Sequence, residues 1–354
     1  DALVILRSLN QNISAEYRVF SNSSGLARFE NIFNGTYDLR IFWRDELVEN
    51  LTVSIQEDEL THKTVFENWG VKVEVSVPED LPPEVSYISE PIVFPVYFSY
   101  GEAGSGSIRI LDERGLEIPY QILEERFYEG TKYYSYAKIL ILTDVEKKLN
   151  RSYIVKYSSK PSEAPPYMSD LKVWRTPAKN GTWDVIVENS YLRAVFKGNS
   201  SLGLYRLYNL ESGLNETLVS PFWSFASPCV MVDGRWFTPL DMKDFNMSVT
   251  VNGSLMVEVT VNGSLPGFKV MRKFRFYPYS KFFEFETTFI PVESVNVELL
   301  SPFNTIYPRA LFYRLLLSDG SSLDLPSVSG GRSFDPGNWS MLVGPYGSIY
   351  VTMK

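Results

Sequence analysis

The chain of 354 residues holds one cysteine, Cys229, and one histidine, His62. A lone thiol closes no internal disulfide, and these two counts exclude the usual Cys/His zinc sites and leave no histidine-based nucleophile pair of recognised pattern. His62, in the segment ELTHKTVF, reads as a strand-surface residue. Long apolar runs are also lacking. Aliphatic stretches such as Ile139 to Leu142 run only a few residues, far short of the roughly 20 a membrane helix needs. Basic excess is absent too: 34 Lys and Arg stand against 42 Asp and Glu, a net charge of −8, which argues against a phosphate-neutralising surface and a nucleic-acid partner. The sequence begins at Asp1 without a charged and apolar leader, so a signal peptide is expected to have been removed or to lie outside this segment.

What the chain has in excess is Asn-x-Ser/Thr. The motif occurs at Asn12, Asn22, Asn34, Asn50, Asn150, Asn180, Asn199, Asn215, Asn246, Asn252, Asn262 and Asn338, twelve of 19 asparagines. Ser and Thr are 55 of 354 residues, so roughly three of those asparagines would precede such an acceptor by chance. Crowding of Asn, Gly and Ser into turns raises the count only somewhat. The expectation is dense N-glycosylation and an extracellular, cell-surface location, which overrules the intracellular reading that missing disulfides would otherwise invite. Such a chain, with 52 aromatic residues, is similar in composition to archaeal cell-surface glycoproteins.

The two-residue period dominates. Val71, Val73, Val75 and Val77 alternate with Lys72, Glu74 and Ser76, and similar strands are expected at 257–261, 283–289 and 295–299. The run KILIL at 138–142 suits a strand covered on both faces. The best helical candidate, 143–150 (TDVEKKLN), is short enough for one or two turns only. The expected fold class is all-β, tandem β-sandwich modules with no substantial helix. Proline clusters at 78–84 and 160–170 divide the chain into modules at 1–66 and 67–160, a Pro-rich linker at 161–170, and a larger β domain at 171–354.

In the first module a turn with Gly25, a strand ending in Phe29, then NGTY at 34–37 and the strand LRIFW resemble the carboxypeptidase-regulatory or Cna-B type of small sandwich. Gly35 is expected to take the positive φ of a tight turn, and Tyr37 to point into the core. The resemblance implies a strand before DALVILRS, so either the chain is cut from a longer protein or a neighbour supplies a strand to an open edge. Further on, Glu188, Asn189, Leu192 and Arg193, then Gly203, Leu207, Ser212 and Gly213, resemble the opening of the galactose-mutarotase-like supersandwich of glycoside hydrolases and polysaccharide lyases. Those residues build the sandwich and are not that family's catalytic set; the remaining chain implies an incomplete or reduced version.

No catalytic residue is assigned. Carboxylate pairs are the chemistry that stays open, since glycoside hydrolysis needs only two acids roughly 5 to 10 Å apart. Glu284 and Glu286 fall on the outward face of a strand, and Asp233, Asp241 and Asp244 read first as turn and loop residues. Trp223 and Trp236, with Asp233 and Asp241, are the candidate carbohydrate-binding residues, because indoles line sugar clefts. Tyr128, Tyr133, Tyr134 and Tyr136 read as hairpin contacts before they read as a sugar platform. The segment QEDE at 56–59 offers oxygens that calcium accepts but lacks the spaced pattern of a defined loop. No metal or cofactor is implied beyond covalent N-linked glycans. GEAGSGS at 101–107 and SGGRS at 329–333 read as flexible loops. The partners expected are other copies of the chain, other surface-layer or filament subunits, and glycans. A noncatalytic structural glycoprotein is the leading reading and a carbohydrate-active or carbohydrate-binding protein the alternative.

Overall fold

The computed structural model describes residues 2–9, 15–21, 27–29, 35–43, 46–55, 69–75, 86–146, 151–178, 181–198, 203–212, 228–301, 314–317, 320–324, 339–344 and 347–352. The chain forms two compact units, Asp1–Tyr167 and Met168–Lys354. Both are all-β, with a 3-10 turn at Pro239–Asp241. No described helix is long and apolar enough to cross a membrane.

In the first unit, β1 (Leu3–Ser8), β2 (Glu16–Phe20), β3 (Gly35–Trp43) and β4 (Glu46–Ile55) form an antiparallel sheet in the order β2-β1-β3-β4. Val4, Leu6, Tyr37, Leu39 and Ile41 share its buried face, as alternation along paired strands requires. Tyr37 is 1 % exposed, the inward position expected of it. Gly35 differs from expectation: it opens β3 opposite Ile55, outside the left-handed region. A Cβ there would stand 3.5 Å from the Tyr37 ring, an ordinary contact, so neither backbone nor space demands glycine.

Seven further strands follow: β5 (Trp69–Val75), β6 (Ser86–Tyr97), β7 (Arg109–Leu111), β8 (Glu117–Ile118), β9 (Tyr120–Phe127), β10 (Tyr134–Glu146) and β11 (Arg151–Tyr157). They make two sheets, β5-β11-β7-β8 and β6-β10-β9. One core joins Ile110, Tyr153 and Val155 of the first with Phe94, Val96, Ile139 and Ile141 of the second, which makes a sandwich. Ile139, Leu140 and Ile141 are all fully buried, so both faces of this stretch are covered as its unbroken apolar run predicts. The helical reading of 143–150 is corrected at its start. Thr143, Val145 and Glu146 continue β10 opposite Glu90, Tyr87 and Ser86, with a bulge between Thr143 and Val145; pairing with a strand some 55 residues earlier overrides weak local propensity.

GEAGSGS is also corrected from a flexible loop to a packed one. Ala103 is fully buried, Gly104 bridges Tyr133, and the carboxylate of Glu102 accepts from the Ser99 amide at 2.7 Å. The proline-rich segment lies against this loop. The Ser162 amide donates to Ser105 O at 2.9 Å, the Ser162 hydroxyl donates to Gly106 O at 2.9 Å, and Arg109 donates to Glu163 O at 3.1 Å. Tyr167 then packs edge-on to Tyr120 at 5.6 Å.

Tyr120 carries a pH dependence. Its hydroxyl, 5 % exposed as a residue, donates to Ile108 O at 2.6 Å, and burial pushes its pKa up to about 12. Burial raises the pKa of Tyr167 as well. A phenol whose folded pKa lies above its unfolded value near 10 contributes stability below pH 10 that is lost as pH rises toward 12. Two pH units of such a shift correspond to on the order of 2 kcal/mol. Urea midpoints measured from pH 8 to 11.5 should fall above pH 10, and Tyr120→Phe should flatten that fall; an unchanged slope in the variant would remove Tyr120 from the account.

The second unit contains β12 (Lys172–Pro177), β13 (Trp183–Glu188), β14 (Leu192–Phe196), β15 (Leu204–Asn209), β16 (Cys229–Val232), β17 (Arg235–Phe237), β18 (Lys243–Asn252), β19 (Val257–Leu265), β20 (Phe268–Phe276), β21 (Phe283–Pro291), β22 (Val297–Ser301), β23 (Arg314–Leu317), β24 (Ser322–Asp324), β25 (Trp339–Gly344) and β26 (Gly347–Thr352). Its sheets are β12-β13-β14-β15, β17-β16-β22, β18-β19-β20-β21 and β24-β23-β25-β26. Val185, Val187, Ala194, Phe196, Leu204 and Leu207 of the first pack on Val257, Val259, Val261, Phe274 and Phe276 of the third, a second sandwich. Within that face sits one charge. Arg272 is fully buried, 5.1 Å from the Phe274 ring centroid, and burial lowers its pKa to about 9, which leaves it a cation at neutral pH.

Asn189, from the Glu-Asn-x-x-Leu-Arg element, clasps this sandwich. Its side-chain amide donates to Tyr277 O at 2.8 Å and Ser280 O at 2.7 Å, and its side-chain oxygen accepts from the amides of Tyr191 at 2.9 Å and Leu192 at 2.8 Å. Glu188 and Arg193 pair beside it across β13 and β14.

Candidate functional site

Four of the twelve sequons fall on described residues: Asn50 on β4, Asn246 and Asn252 on β18, and Asn262 on β19. The first three are exposed and Asn262 is half-buried. Asn246 stands directly across from Asn262 in the β18–β19 ladder. Because residues directly opposite share a face, both acceptor amides lie on the side of the sheet away from the valine core. Asn12, Asn22, Asn34, Asn150, Asn180, Asn199, Asn215 and Asn338 lie outside the described residues, as do Trp223, His62, QEDE and SGGRS.

The start of β18 also walls a cleft. Phe245, Asn246 and Met247 face Arg175, Thr182, Trp183, Val185 and Gly198 across a cavity of 280 Å³. Trp183 is 53 % exposed. The lining mixes Trp183, Phe245 and Met247 with the polar residues Arg175 and Thr182, and exposed indoles of this kind are found in sugar-binding sites. Sequence reasoning passed over Trp183 and Arg175. Phe245 is some 60 residues away in the chain, and only the packing of two sheets brings the three together.

Of the expected carbohydrate residues, Asp233 and Trp236 sit on one hairpin and Asp241 on the 3-10 turn that follows it. Asp233, with φ of 49°, forms with Gly234 the turn between β16 and β17, and the Gly234 amide donates to the Glu298 carboxylate at 2.6 Å. Trp236 on β17 is 47 % exposed. Asp241 closes a capping box: its carboxylate accepts from the Thr238 amide at 2.9 Å and the Thr238 hydroxyl at 3.1 Å. The carboxylate of Asp241 is thus occupied by its own turn.

Glu284 and Glu286 lie on the outer face of β21, where Arg275 takes hold of them. Its guanidinium donates to Glu258 at 2.8 Å and Glu286 at 2.7 Å, and stands 3.9 Å from Glu284. The hydrogen bond from Arg275 holds the Glu286 carboxyl below the usual carboxylate range. A carboxylate so held is a poor proton donor near neutral pH. Among the described residues no group of three acidic, histidine or cysteine side chains is placed to hold a metal ion.

The tyrosines divide between two places. Tyr134 is buried and Tyr128 and Tyr133 pack against Tyr100, at 5.4 and 5.7 Å. Tyr136 lies 5.2 Å from Tyr97, which is 68 % exposed, with Arg126 over its ring at 5.1 Å. These are cross-strand contacts of β10 with β6 and β9.

No family model matches the chain, and no curated protein matches it. Among solved structures it is similar to a glycosyl hydrolase family 38 protein from Enterococcus faecalis, with a TM-score of 0.48 and 10 % identity over 81 % of this chain and 40 % of that one. It is also similar to an alpha-mannosidase from Enterococcus faecalis V583, with a TM-score of 0.41 and 10 % identity over 81 % of this chain and 38 % of that one. The chain thus spans about two fifths of the length of either structure, and no chemistry passes from them to it at that distance.

Proposed function

We propose that this chain is a noncatalytic, extracellular surface glycoprotein of archaeal type that serves a structural role, in a surface layer, filament or adhesive stalk, through its β-sandwich modules. The observation that carries this reading is the twelve sequons, with three of the four described ones on exposed strand positions. The engaged state of the named carboxylates supports it: Asp241 caps a turn, and Glu284 and Glu286 flank Arg275. Its partners are other copies of itself or neighbouring subunits of the same surface assembly.

The cleft of Trp183, Phe245 and Arg175 favours a second reading, an extracellular carbohydrate-binding or carbohydrate-active protein. Native protein, purified with its sugars and imaged by electron microscopy, separates the two. Ordered sheets or filaments with a one-chain repeat are expected. Isolated particles that bind polysaccharide, with reducing-end release or unsaturated product on a polysaccharide panel, would replace the structural reading.

A further inference from the structure

Every β-sheet with an open edge invites another strand, and proteins block that edge with charge, proline or cover. The described edge strands here divide by which device they carry. In β6 it is Pro91 and Pro95; in β9, Glu124, Glu125 and Arg126; in β21, Glu284 and Glu286. Two edges depart from this. Among the described residues β18 is hydrogen-bonded only to β19; its charges, Lys243 and Asp244, stand at its start, and the stretch Met247–Val251 (MSVTV) has no charge and no proline. Likewise, among the described residues β4 is paired only with β3; Glu46 and Glu49 lie in its first half, and its second half, Leu51–Ile55 (LTVSI), is uncharged. Uncharged segments rich in β-branched residues, without proline, are the sequence type that self-pairs. Sequons bracket the first, at Asn246 and Asn252, and immediately precede the second, at Asn50. All three asparagines are exposed. Among the described edges, β26 alone (GSIYVT) has none of these devices.

We infer that the N-linked sugars on Asn246 and Asn252, and on Asn50, are edge guards: hydrated bulk placed where a charge or proline is missing, which stops β18 from pairing with β18 of a second copy. This rests on the glycoprotein reading above and gives particular sugars a particular task. Asn262 serves as the internal comparison. Its strand is paired on both sides, by β18 and β20, so a sugar there is rooted one strand in from the edge.

The test removes sugar with and without restoring a guard, in the full chain made by a glycosylating host. Ser248→Ala with Asn252→Gln deletes both sequons of β18. Ser248→Lys with Asn252→Lys deletes the same two but sets charge on the strand. Self-association is read by light scattering and by the infrared band of intermolecular β-structure, after mass spectrometry of the parent protein has established occupancy. In a buffer that keeps the parent dispersed, the first variant should associate at least tenfold more strongly than the parent, the lysine variant should match the parent, and Asn262→Gln should match it too. Equal association of the lysine variant, or of Asn262→Gln, would overturn edge guarding and leave the sugars as general solubilisers. Unmodified Asn246 and Asn252 in the parent would overturn the inference by removing the glycoprotein reading at these positions, a failure that mass spectrometry distinguishes from the first.

Discussion

Replacing Asn189 by alanine is expected to destabilise the Met168–Lys354 unit by about 4 kcal/mol, since each buried partner left without a hydrogen bond costs about 1–3 kcal/mol. Asn189 is 4 % exposed, and the change strands four groups: the carbonyls of Tyr277 and Ser280 and the amides of Tyr191 and Leu192. For a unit of this size that is a fall in melting temperature of roughly 8 to 16 °C. Asn189→Asp should do no better, because one carboxylate oxygen would then face the two carbonyls and add repulsion to the loss. Thermal unfolding followed by tryptophan fluorescence reads the effect. A fall below about 3 °C would mean that water reaches the stranded groups and that the clasp contributes little net stability.

The second large effect is expected at Gly106. Its φ of 70° suits glycine, and a Cβ there would lie 2.1 Å from Ser162 O. Alanine therefore forces the 161–167 strap away from the loop, with loss of the two Ser162 bonds, the Arg109 to Glu163 bond and the packing of Tyr167 on Tyr120. At about 1 kcal/mol per hydrogen bond and as much for the strained backbone, the cost is about 4 kcal/mol. Gly101→Ala is the control, since its backbone has the same hand but nothing stands within 4 Å of the added carbon. It should cost about 1 kcal/mol, the backbone contribution alone. Limited proteolysis with a glutamate-specific protease adds a local readout: Gly106→Ala should open cleavage after Glu163, and Gly101→Ala should not. Equal loss from the two variants would show that the strap is not what Gly106 accommodates.

The strands were legible because their cause is local. Alternation at Val71, Val73 and Val75 and the unbroken Ile139–Leu142 run each report burial of one face or both, and the sheets bear this out. What escaped was set by partners distant in the chain. Thr143 to Glu146 became strand because Glu90 to Ser86 lay alongside, and GEAGSGS became packed because a later proline-rich segment lies against it. The Glu-Asn-x-x-Leu-Arg element was visible as residues, but the carbonyls that Asn189 holds come from positions 277 and 280. The cleft was likewise invisible, since Trp183 and Phe245 meet only across two sheets.

The Asn189 clasp also orders events in time. Its bonds span 88 and 91 residues, and contacts of such separation form late, since the intervening loop must close before they contribute. The segment 246–252 lies inside that loop. While the loop is open, the uncharged face of β18 stands without its sandwich, in the interval when a growing chain is most prone to meet another. A sugar attached before closure would protect the chain on its way to the fold as well as afterwards. Sugar removed enzymatically from folded protein and sugar never attached should then differ, the second giving the lower yield of monomer from the producing cell.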